Sequence, residues 1–189
     1  MTASDAFSRS VGGSDPGEAG KDFAGQDFDV VFTRIFQAPR DLVFQAWTDP
    51  ARMAQWWGPQ GFTNPVCELD PRVGGAWRIV MRSPEGIDYP LTGSYLEIVR
   101  PERLVMTCSV KEHPADWHAL VRQNRPKTAG EPAQDFLWTV TFEDQGGKTR
   151  LIIRSHFASA ADRDALVKIG METGWNQSLD RLRDLLAAW

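Results

Sequence analysis

One stretch of this chain repeats apolar residues at helical spacing over many turns, and it lies at the end. Val167, Met171, Trp175, Leu179, Leu182, Leu186 and Trp189 recur every three or four residues, which puts one apolar stripe along a helix. Ser159, with Asp162 three positions on, reads as a capping box that starts it. The expectation is a single helix of about seven turns. The segments before it read largely as strands, and a sheet with an apolar face must bury that face against another layer. This helix is the one element long enough to do so. Yet Gly170 and Gly174 lie inside the stretch, each costing about 1 kcal/mol relative to alanine in a helix interior. With Ser178 they form a row of small side chains beside Met171 and Trp175. Such a row leaves volume unfilled, and an unfilled core costs stability, which points to a ligand. The same row would also let a bulky sheet side chain, Trp77 or Trp138, approach the helix; the two readings are compatible.

The strands show themselves by alternation and by turn signals between them. "DFDVVFTRIF" (27–36) is the first. Pro39 then opens a short helix carrying Leu42, Val43, Ala46 and Trp47. A second follows, capped by Asp49, begun by Pro50 and stopped at Gly58-Pro59. Six more strands come next: "NPVCELD", "AWRIVMRS", "YPLTGSYLEIV", "LVMTCSV", "DFLWTVTFED" and "TRLIIRSHF". In "AWRIVMR", Trp77, Ile79 and Met81 share one face against Arg78 and Arg82. In "FLWTVTF", Phe136, Trp138, Val140 and Phe142 oppose Thr139 and Thr141. These are half-buried antiparallel strands. "QGGK" joins the last two as a hairpin, and Gly74-Gly75 marks a bend or bulge. The fold class is therefore α+β: a seven-strand antiparallel sheet, two short helices after the first strand, and a long C-terminal helix.

Residues 1–26 are rich in Gly, Ser, Ala and Asp without periodicity and read as a disordered tail; residues 27–189 read as a single domain. The chain has 189 residues, 42% of them hydrophobic and 24% charged, and a net charge of −4. That balance carries no footprint for nucleic acid. No apolar run approaches the roughly 20 residues that span a bilayer, so membrane insertion is not expected. The N-terminus shows no export signal. Cys67 and Cys108 then read as free thiols in a reducing cytoplasm.

At this point the motifs are familiar together. "APRDLVFQAWTDPARMAQWWGP", "VGGAWR", "ERLVMTCSV", "FEDQGGKTRLIIRSHF" and "GWNQSLDRL" resemble, in order and over residues 28–188, the activator-of-heat-shock-chaperone-ATPase homologue family of the START-like (SRPBCC) superfamily. The resemblance implies a helix-grip fold, in which a curved seven-strand sheet wraps a C-terminal helix and leaves a cavity between them. It also implies an apolar small molecule as the cavity's occupant; some relatives are cyclases or dehydratases, others have no chemistry. In the eukaryotic activators a separate N-terminal domain also engages the chaperone. Residues 1–26 are too short to supply one, so a chaperone is not an expected partner. Related proteins include monomers and dimers, and either state is open.

The residues expected around a ligand are Trp56, Trp57, Phe62, Trp77, Trp117, Trp138, His156, Met171, Gly174 and Trp175. Aromatic walls with few polar groups are the usual form of a small-molecule site. Trp117 lies in the long connection 111–134, where "PADWHALV" reads as a short helix from Pro114 with Trp117, Leu120 and Val121 on one face, and where a lid over the cavity is expected. An enzyme on the same scaffold, a polyketide cyclase or dehydratase, would need an ionisable group inside; His156, Glu97 and Arg154 are the candidates. No catalytic residue is assigned. His113 and His118 are five apart, off the i, i+4 spacing of two helix-borne ligands, so no metal site is expected. Nothing matches a P-loop or dinucleotide fingerprint, and no cofactor is expected.

Overall fold

The computed structural model describes residues 28–189, and the tail expected over residues 1–26 lies outside them. Seven strands form one antiparallel sheet: β1 (Asp29–Phe36), β2 (Thr63–Leu69), β3 (Ala76–Arg82), β4 (Asp88–Val99), β5 (Arg103–Ser109), β6 (Asp135–Asp144) and β7 (Thr149–His156). Their spatial order is β1-β7-β6-β5-β4-β3-β2. β2 to β7 is a meander, and β1 closes it by pairing with β7 from Asp29↔His156 to Phe36↔Thr149. The hairpin at "QGGK" turns through Gly146 (φ 67°) and Gly147 (φ 86°), the left-handed pair that matches strand twist.

The two helices after β1 are α1 (Arg40–Thr48) and α2 (Pro50–Trp56). Pro39 stands one residue earlier than expected, as the extended cap of α1 (φ −60°, ψ 148°) rather than its first helical residue. Asp49 Oδ1 accepts from the Arg52 N–H at 3.0 Å, and Pro50 opens α2.

The C-terminal stretch departs from the single helix of the periodicity. It forms α4 (Ala160–Lys168) and α5 (Met171–Ala187), broken at Gly170. Gly170 holds φ +105°, a backbone region open to glycine and strained for other residues. Its N–H donates to Val167 O, closing α4, and its carbonyl accepts from Gly174 N, opening α5. Periodicity did not register the break because Val167 and Met171 keep a four-residue spacing across it. α5 packs into the concave face, burying Trp175, Leu179, Leu182 and Leu186, beside α1, whose Phe44 and Trp47 meet Phe142 of β6. Trp189 leaves the stripe: it is 45% exposed, under the Arg52 guanidinium at 4.1 Å.

The connection between β5 and β6 does carry a short helix, α3 (Ala115–Gln123), with Pro114 as its extended cap. Val121 is buried and Trp117 half-buried, but Leu120 is 43% exposed, on the outer flank of the stripe. The connection is fastened to α4 by an ion pair hidden from water. Arg125 Nη2 lies 3.2 Å from Asp162 Oδ1, with side chains 4% and 7% exposed. Arg125 also donates to the carbonyls of Ala129 and Gly130. Asp162 also accepts from Ala133 N and from the Ser159 hydroxyl, so the expected capping box has its carboxylate turned to tie down the connection.

Gly174 is helical, and a Cβ there would meet only Pro59 Cγ at 3.7 Å, whereas Gly170 has open space but a left-handed backbone. Gly174→Ala should therefore stabilise the fold by up to about 1 kcal/mol, and Gly170→Ala should destabilise it by about 1–2 kcal/mol, opposite signs in one urea titration. Asp162→Ala strands the Arg125 charge in the interior, and should cost about 3–5 kcal/mol in the same assay.

Candidate ligand-binding site

Between the concave sheet and α5 lies a cavity of about 330 Å³. Its rim after α2 contributes Trp57, Gly58, Pro59 and Phe62. Strands β3 and β4 contribute Met81, Tyr89 and Leu91, and β6 contributes Phe136 and Trp138. Val110, His113 and Trp117 come from the end of β5 and the connection carrying α3. Leu166, Ile169, Gly170, Met171, Gly174, Trp175 and Ser178 come from α4, α5 and the link between them. No Asp, Glu, Lys or Arg is among them. Gly174 and Ser178 lie on the face of α5 beside Trp175, so the row of small side chains does border empty volume, with Ser178 Oγ donating to Gly174 O at 2.9 Å.

Seven of the residues expected from the sequence meet at this cavity: Trp57, Phe62, Trp117, Trp138, Met171, Gly174 and Trp175. Three do not. Trp56 is fully buried behind the wall, its Nε1 donating to Ala46 O at 2.9 Å. Trp77 backs Trp138, stacked at 5.8 Å, and its Nε1 donates to Thr107 O at 3.1 Å. That indole crosses the bare backbone of Gly93, where a Cβ would stand 2.6 Å from Trp77 Nε1 and 2.0 Å from Thr107 O. His156 lies on the outer face of β7, with Nδ1 2.7 Å from Asp29 Oδ1. β7 buries Leu151, Ile153 and Ser155 and turns Ile152, Arg154 and His156 the other way. Arg154 pairs with the same Asp29, and Glu97 pairs with Arg103 at 3.1 Å. The three ionisable residues nominated for catalysis are thus outside the cavity.

The rim is held from α5. Arg181 Nη1 donates to the carbonyls of Trp57, Gly58 and Pro59 at 2.9–3.0 Å, and Nη2 to Gln55 O at 3.0 Å. A guanidinium placed where α2 ends meets the negative end of the helix dipole, and it shares Trp57 O with Asn64 Nδ2 and Pro59 O with the Phe62 N–H. Gln177 Oε1 accepts from Gln60 N at 3.0 Å. These bonds fix Trp57 in its place at the wall.

Sequence reasoning passed over His113, weighing it only as a metal ligand. It lines the cavity between Tyr89 and Trp117, its ring 5.5 Å and 4.5 Å from theirs. Burial, with His118 nearby, pushes its pKa down to about 4, so the imidazole is neutral at pH 7. Neither thiol is a poised nucleophile. Burial, with Asp49 adding, raises Cys67 to about 11, and full burial raises Cys108 well above its ordinary value.

The His113 shift makes stability depend on acid. The fold lowers this pKa, so between about pH 6.5 and pH 4 the unfolded chain binds a proton that the folded chain refuses. Stability is then full above pH 6.5, falls as pH drops to 4, and gains no further loss from this group below. The expected loss is on the order of 3 kcal/mol. His113→Phe should flatten that part of the pH–stability curve, read by urea unfolding at pH 4.5 and 7.

Comparison with known proteins agrees with this architecture. The family described as Activator of Hsp90 ATPase homolog 1-like protein matches residues 37–187. No curated protein matches the chain. A crystal structure from Rhodobacter sphaeroides is 26% identical, with TM-score 0.71 over 87% of this chain and 95% of its own. One from Chromobacterium violaceum is 29% identical, with TM-score 0.65 over 85% and 98%. One from Nitrosomonas europaea, 22% identical with TM-score 0.70 over 87% and 97%, shares the fold. No helix among the described residues is long and apolar enough to cross a membrane. The chain belongs to the Activator of Hsp90 ATPase homolog 1-like family.

Proposed function

We propose that the protein binds a small apolar or aromatic molecule between the sheet and α5. The observation that carries this is the cavity of about 330 Å³ with no charged side chain in its wall. The volume falls at the lower end of the roughly 300–1,000 Å³ typical of small-molecule sites. Its aromatic rings offer faces and edges for a planar ligand. The segment 111–134 serves as a lid. His113 and Trp117 are its contacts with the cavity, and the buried Arg125–Asp162 pair fastens it to α4.

A cyclase or dehydratase needs an acid or base poised beside its substrate. His156, Arg154 and Glu97 are elsewhere, and the wall holds no carboxylate beside His113 to complete an acid–base pair. Binding without turnover is therefore the reading we favour. Activation of a chaperone ATPase, the activity in the family's description, would be a surface function and leaves the cavity without a role.

A thermal-shift and tryptophan-fluorescence screen with apolar aromatics, fatty acids and polyketide-like phenols tests the proposal. A ligand that binds only the folded state stabilises it by about 2.7 kcal/mol at a hundred times Kd, so one compound class should raise the melting temperature and quench emission. Gly174→Leu should fill the cavity and abolish both effects in a folded protein. A screen without hits in any class would overturn the proposal and move attention to surface partners.

A further inference from the structure

The polar atoms of the wall narrow the ligand further. Behind the wall, the indoles of Trp56 and Trp77 give their N–H groups to backbone carbonyls. On the wall, Ser178 spends its hydroxyl on Gly174 O. His113 differs: Nδ1 and Nε2 are both shielded from solvent, and neither has a hydrogen-bond partner. Native interiors leave few polar groups in that state. The unpartnered indole N–H groups of Trp47, Trp57 and Trp138 sit among ring contacts, where a neighbouring π face is a weak acceptor. An imidazole has stronger demands, since its neutral form carries one donor and one acceptor.

We propose that the cavity selects uncharged ring compounds bearing one hydroxyl or carbonyl oxygen, and that the imidazole of His113 reads that oxygen. This rests on the binding reading above. A charged ligand would meet no counter-charge in the wall, and an unpaired ion in an apolar chamber is strongly disfavoured. A neutral imidazole serves a hydroxyl through its acceptor nitrogen or a carbonyl through its N–H, but it gives no charge to a carboxylate. The ring is held edge-on between Tyr89 and Trp117. Both nitrogens are closed off from solvent in this conformation, so reading a ligand requires a half-turn about the Cβ–Cγ bond, which exchanges the places of nitrogens and carbons.

Three probes of one shape separate the possibilities: naphthalene, 2-naphthol and 2-naphthoate, titrated at pH 7 into the wild type and His113→Phe. We expect 2-naphthol to bind the wild type more tightly than 2-naphthoate does. In His113→Phe, 2-naphthol should weaken about tenfold, the worth of one net hydrogen bond, while naphthalene stays within about twofold. In the wild type, the ¹⁵N shifts of the His113 ring should move with 2-naphthol and not with naphthalene, a readout that needs no variant to fold. Equal loss of naphthalene and 2-naphthol in the variant would reduce His113 to packing and overturn the inference. So would tighter binding of 2-naphthoate, or ring shifts indifferent to the hydroxyl. In these cases naphthalene still binds and the binding reading survives; if none of the three binds the wild type while another class in the thermal-shift screen does, this inference falls alone, and if no class binds, the binding reading falls with it.

Discussion

The fold turns on where one indole sits. Trp175 projects from α5 and meets four rings from four other parts of the chain: Phe32 of β1 at 5.8 Å, Trp47 of α1 at 6.1 Å, Trp57 after α2 at 5.3 Å and Trp138 of β6 at 5.4 Å. The contacts mix stacked, tilted and edge-on arrangements, which suits aromatic quadrupoles and is worth about 0.5–1.5 kcal/mol per pair beyond the buried area. The sheet edge, the two short helices and the centre of the sheet thus share one anchor on the C-terminal helix. α1 also lies on the sheet, with Phe44 and Trp47 against Phe142, so the anchor ties both helices to one separation from the sheet.

That separation explains the cavity. Large rings set the gap between layers, and Gly174 and Ser178 on the same helix decline to fill it. The opening is held by polar devices at its edges instead. Arg181 gathers the carbonyls of the rim, and Asp162 collects the connection beside α3. Both sites join segments distant in sequence through a charged side chain that bonds backbone atoms of another segment. An apolar chamber bounded by rigid polar seams keeps its shape when empty, which lowers the cost of ordering on binding.

Much of this was legible in the sequence, and the failures have physical causes. Strand alternation gave all seven strands, because a half-buried sheet writes its two faces into residue parity. The helix caps at Asp49 and Ser159 were readable because side-chain oxygens there answer a local need of the backbone. The break at Gly170 was not readable, since one left-handed residue leaves the apolar spacing intact. Trp56 and Trp57 are adjacent tryptophans at a helix end, and which of them faces the cavity depends on how α2 terminates. Trp77 and Trp138 both point inward, and only their stacking decides which is in front. His156 was placed by an assumed parity, although Arg154 on the same face of β7 marked that face as the outer one. His113 lies in an irregular connection, where no period relates a residue to a face, and only the closed structure shows what it touches.

The ring contacts also have an optical consequence. Trp47, Trp56, Trp57, Trp77, Trp138 and Trp175 form a continuous chain with neighbouring centroids 5.1–6.1 Å apart. At such separations an excited indole passes its energy to the next faster than it emits. Light absorbed anywhere in the set is therefore shared by three indoles that border the cavity, and a single quencher lodged there would darken all six.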